Sequence, residues 1–125
     1  MRMWRKGSAP PLEGPVHVSM NDYVVHRLWD VPAVWYEGLR FAARWPRTEG
    51  ALGLWIAGFG TRQTVSISVW RSPDDLRRFV RSPRHKKVMK RHRHTGDLVT
   101  TAWPAARLDK NEIWEQGKAR VRGHP

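Results

Sequence analysis

One stretch constrains the fold more than any other: an alternating strand that runs straight into two helix starts spelled alike. Thr64-Val65-Ser66-Ile67-Ser68-Val69-Trp70 puts Val65, Ile67 and Val69 on one face and Ser66, Ser68 and Trp70 on the other, the period-2 pattern of a strand with two distinct faces. Arg71-Ser72-Pro73-Asp74-Asp75 follows at once, with Ser as N-cap, Pro at the first helical position and an acid three residues after the cap. Arg81-Ser82-Pro83 then repeats the cap and the proline. The first helix is expected to turn Leu76, Phe79 and Val80 inward, and the second to set His85, Val88, Met89 and His92 on one stripe.

The remaining elements follow from composition and punctuation. Tyr23-Val24-Val25-His26-Arg27-Leu28-Trp29 is rich in β-branched and aromatic residues and reads as the first strand. Asp30 then caps a helix with Pro32 in its first turn, which runs to about Trp45 and stops at Pro46. Its apolar stripe is Val31, Trp35, Leu39 and Ala42, widened by Val34, Phe41 and Trp45. Residues 52–59 form a second strand, joined to the 64–70 strand by a short loop and hence antiparallel to it. Leu98 to Trp103 is the last strand, ended by Pro104. The order β-α-β-β-α-β with right-handed crossovers predicts an α+β, ferredoxin-like sandwich, four antiparallel strands with both helical segments on one face. Residues 1–21 are expected to be a flexible arm, 22–117 the single domain and 118–125 a flexible tail.

Composition removes whole classes of chemistry. A chain of 125 residues is the size of one domain. With no cysteine, disulfides, zinc-thiolate sites, iron–sulfur clusters and cysteine nucleophiles are excluded. No apolar run approaches the ~20 residues of a membrane span, and the basic amino end leads into Gly-Ser-Ala-Pro-Pro, not an apolar core. A cytoplasmic protein is the expectation. The net charge of +12 is concentrated in residues 71–94, and no acid occurs between Arg81 and His94. Such a stripe suits phosphates, an acidic partner or a ligand carboxylate, and equally suits a plain solvated helix face.

The run from Ser68 to Arg91 resembles the third strand and broken helix of the dimeric α/β-barrel superfamily, which includes antibiotic-biosynthesis monooxygenases. Within that group it is most similar to spheroidene-monooxygenase-like proteins, with their strand-Trp-Arg/Glu-Ser, Leu/Met-x-x-Phe and Ser-x-x-His runs. The strand order extends the resemblance over about residues 22–104. The resemblance implies a pocket between sheet and helices, and in heme-using branches an iron ligand from a helix-borne histidine. Only His85 falls at that position, so it is the candidate heme ligand or acid/base residue; the alternative is a structural histidine hydrogen-bonded near a helix start. Arg71 and Arg27, at strand ends, are candidates to hold an anionic group of substrate or cofactor. His26, Trp35, Trp55, Trp70 and Met89 are the candidate pocket residues, although strand tryptophans are more often plain core. His26 faces either the pocket or a dimer interface, and His92 and His94 read better as cap or surface groups.

No Gly-rich loop opens a helix after a strand, and no metalloprotease, esterase or glycosidase pattern is present. Two function classes are left. The first is a small oxygenase-type enzyme acting on a hydrophobic or aromatic small molecule, with heme the one cofactor in view. The second is a binding module whose basic helix engages nucleic acid or an acidic protein; nucleic acid is disfavoured, because the aromatic RNA-binding signature is missing from the 64–70 strand. Apolar residues on both strand faces further predict a homodimer that pairs two sheets into a barrel of about 29 kDa, twice the 14.6 kDa chain.

Overall fold

The computed structural model describes residues 2–11 and 13–123. Strands β1 (Arg2–Lys6), β2 (Val16–Val25), β3 (Ala51–Phe59), β4 (Gln63–Trp70) and β5 (Gly96–Ala105) form one sheet in the order β1-β3-β4-β2-β5. Every pairing is antiparallel. Without β1, the order is that of the ferredoxin-like sandwich, as expected. Helices α1 (Val31–Arg44), α2 (Pro73–Val80) and α3 (Pro83–His92) follow their anticipated starts. Ser72 and Ser82 both cap as read, their hydroxyls accepting the backbone N–H of Asp75 and of His85.

The amino-terminal third departs from the sequence reading. Residues 2–6, expected within a flexible arm, pair with β3 from Arg2–Ala57 to Lys6–Gly53. The first core strand is Val16–Val25, not residues 23–29, because Val16-His17-Val18-Ser19-Met20 carries the buried alternation. Beyond it, Leu28–Asp30 is a single 3₁₀ turn with Leu28 and Trp29 largely in water. The prolines and glycines of residues 7–15 connect two strands; they do not mark a loose end. Pro104 likewise does not stop β5 but lies within it, opposite His17, at the sheet edge where a missing N–H costs no ladder bond.

Alternation along β3 divides the core in two. Leu54 and Ile56 pack with Trp45, Ala42 and Trp70 beneath α1 and α2. Trp55 and Ala57 face the other way, with Val65, Ile67, Val69, Met20 and Val18. That second face was expected to need another copy of the sheet. Helix α4 (Lys110–Lys118) of the same chain lies over it instead, contributing Ile113 and Trp114. Gly117 allows the approach, since a Cβ there would collide with Ile67. The segment expected to be a tail is anchored as well: the Arg122 backbone N–H donates to the buried Asp22 carboxylate at 2.8 Å. On α1, Leu39 lies outside the buried stripe and is exposed, as is Val80 at the end of α2. No helix among the described residues is long and apolar enough to cross a membrane.

Candidate active site

Between the sheet and helices α1–α3 is a cavity of about 350 Å³. Its floor is the polar side of the sheet, with Asn21, Thr64, Ser66 and Ser68, and its walls are the apolar stripes of α1 and α3. Amphipathic helices over a sheet face that carries serines leave this layer only partly filled, which is the physical origin of the space.

His85 stands at one end. The Ser82 cap fixes the first turn of α3, and the ring lies against Phe41 and Phe79, with centroids 6.1 and 5.1 Å away. Burial pushes its pKa below the ordinary 6.5, against a backbone hydrogen bond at Val80 that favours the charged form. The imidazole is therefore neutral at pH 7 and able to accept a proton. Trp35 and Met89, two of the candidate pocket residues, line the same cavity.

The other expected site residues lie elsewhere. Trp55 is on the opposite sheet face, its indole N–H donating to the Lys110 carbonyl at 3.0 Å and its ring tilted against Trp4 and Trp114. Trp70 is on the cavity side but is core, packed on Trp45 and Phe79 with its N–H on Ser68 Oγ. His26 is exposed past the end of β2, 3.3 Å from the Asp97 carboxylate. The Arg71 guanidinium is committed to buried Asp75, with Nε and Nη2 at 3.3 and 3.2 Å from its oxygens. Burial works to raise the Asp75 pKa, and hydrogen bonds from Ser72, Arg71 and Arg78 outweigh it and hold the carboxyl below its ordinary value. Arg27 lies over the Trp29 ring.

The structure adds a charged group that the sequence reading passed over. Glu37 is buried, yet it lines the cavity. Its Oε2 accepts from Arg91 Nη1 at 3.1 Å and stands 3.6 Å from His92 Nε2. His92 also lines the cavity, so it is not a surface cap, and neither ring nitrogen has a hydrogen-bond partner among the described residues. An orphaned buried polar atom costs about 1–3 kcal/mol. Tyr23 Oη donates to the His92 carbonyl at 2.7 Å and holds the end of α3 to the sheet. A signal for Glu37 was present in the sequence: it is three residues after Val34 and four before Phe41, an acid inside an apolar stripe.

The architecture has solved counterparts. SnoaB, a cofactor-independent oxygenase from Streptomyces nogalater, superposes with a TM-score of 0.60 at 21% identity, over 75% of this chain and 95% of that one. A provisionally assigned antibiotic biosynthesis monooxygenase from Deinococcus radiodurans gives 0.65 at 12% identity, over 74% and 95%. Another, from Nitrosomonas europaea, gives 0.63 at 10%, over 78% and 94%. The fold is that of the antibiotic-biosynthesis monooxygenase-like proteins. No protein-family model and no curated protein matches the chain.

In this monooxygenase-like fold, the residues around the cavity give heme no support beyond His85 itself. Arg71, the residue expected to meet an anionic group of the cofactor, is occupied by Asp75. The His85 ring is flanked by the phenyl rings of Phe41 and Phe79.

Proposed function

We propose that the chain is a small oxygenase-type enzyme that acts, without a bound cofactor, on a hydrophobic aromatic molecule held between sheet and helices. The observation that carries this reading is the neutral, half-buried His85 facing an aromatic-walled cavity, in a fold shared with a cofactor-independent oxygenase. Dioxygen chemistry without a metal or flavin draws its electrons from the substrate itself. A methylene held between aromatic rings meets that need. His85 takes one of its protons, the electron pair stays on carbon, and the stabilised carbanion reduces dioxygen. Overall, R₂CH₂ and O₂ give R₂C=O and H₂O. Phe41, Phe79 and Trp35 keep water from the carbanion and hold the rings flat against the serine-bearing floor.

The test is dioxygen uptake by the purified chain, with chelator and no added hemin, across a panel of fused-ring compounds bearing an activated methylene. Uptake with stoichiometric ketone formation is expected, falling about 10²-fold or more in His85→Ala, the typical worth of a positioned proton acceptor. No uptake with any member of the panel removes the reading.

A further inference from the structure

The two oxygens of Glu37 are not equivalent. Oε2 is taken by Arg91 and has His92 beside it. Oε1 accepts no hydrogen bond among the described residues, and Arg40 Nη1 stands 4.0 Å from it. Glu37 as a whole is only 5% exposed and lines the cavity, so Oε1 leaves acceptor capacity at the cavity margin.

A carboxylate oxygen is an acceptor and never a donor, and the other atoms around it make the choice sharper. Val34, Phe41, Val88 and Met89 offer no hydrogen bond along the helical walls. Arg91 balances the charge of Glu37 from the solvent side, being half exposed itself. The cavity thus has apolar helical walls over a hydroxyl-bearing floor and, at its α1–α3 side, one carboxylate already held in place by α3.

We propose that Glu37 is a specificity-determining residue: its Oε1 accepts a hydrogen bond from a single hydroxyl or N–H on an otherwise apolar, planar ligand. This rests on reading the cavity as the substrate site and says nothing of the oxidation step. A ligand with an ether or a bare C–H at that position leaves the oxygen desolvated and unpaired, and a ligand carboxylate there meets like charge. Discrimination follows from the penalty on the wrong ligand as much as from the bond to the right one.

The experiment is calorimetric titration of the full chain with 2-naphthol, 2-methoxynaphthalene and naphthalene at pH 7. Wild type is expected to bind 2-naphthol at least about tenfold more tightly than the methoxy compound, the worth of one charge-assisted hydrogen bond. In Glu37→Leu the preference vanishes while naphthalene affinity is kept. If that variant does not fold, Glu37→Gln decides by the same ratio, which should fall several-fold. Equal affinities in wild type, or a preference that survives substitution, overturn the proposal. So does equal weakening of all three ligands in a folded variant, which would make Glu37 only a tie between α1 and α3. Hydroxyl preference without dioxygen uptake by any substrate leaves this proposal standing and removes the oxygenase reading alone.

Discussion

His85 carries its environment into the stability of the whole chain. Its folded-state pKa lies below 6.5 because the ring is buried, so as pH falls the unfolded chain binds the proton first. The stability contributed by the neutral ring is complete above pH 6.5 and declines below it, until the folded ring titrates in turn. His17 is lowered in the same direction, by burial and then by Arg77, and adds to the slope. Urea unfolding at pH 7.5 and pH 5 should therefore show a smaller acid loss in His85→Leu than in wild type. An identical loss in the two proteins would mean that the ring is not desolvated. The same residue was visible in the sequence because Ser82, Pro83 and the i, i+3, i+4 stripe set its direction. Arg71 was misread for the complementary reason. Its partner Asp75 is four residues on, at a position that also reads as an ordinary helix-start acid, so the pair that consumes Arg71 has no signature of its own.

At the scale of elements, α3 is the least secured wall of the cavity. Its ten residues include none that is buried, and what fixes its start is the Ser82 hydroxyl on the His85 N–H. Ser82→Ala should cost about 1 kcal/mol, felt first as faster amide exchange at His85–Val88 and only weakly in global unfolding. Unchanged exchange there would show that Tyr23 and Arg91, at the far end, hold the helix alone. Helices α1 to α3 and strands β3 and β4 were legible because a cap, a proline or strict alternation marks each one. Strand β1 was not, since a short strand of Arg, Met, Trp and Lys has no periodic signature and exists only because β3 offers an open edge. Helix α4 did leave a trace. Asp109 caps it, accepting the N–H groups of Asn111 and Glu112, and Ile113-Trp114 with Gly117 makes its buried stripe. Its brevity, and a sequence reading that gave the second sheet face to another subunit, hid it.

For the molecule as a whole, α4 determines what the second face of the sheet can do. Val65, Ile67 and Val69 are at most 1% exposed on that face, where α4 contributes Ile113 and Trp114 as cover from within the chain. A chain ending at Ala106 lacks that cover and should self-associate at micromolar concentration, by light scattering, far more than the full chain. Equal behaviour of the two would mean that α4 is a bystander. The opposite margin of the sheet is guarded differently. Ala51 to Ala57 of β3 are seven consecutive buried residues without a charge or a proline, the profile of a segment that readily pairs with copies of itself. β1 occupies that edge and presents Arg2, Arg5 and Lys6 in its place, with Arg5 Nε fastened to the Ala42 carbonyl. Because β1 precedes β3 in the chain, it leaves the ribosome first. The most adhesive strand of the protein is thus synthesised into the presence of its own shield, and a cleavage anywhere in residues 7–15 before the sheet closes would turn a folding chain into a seed for aggregation.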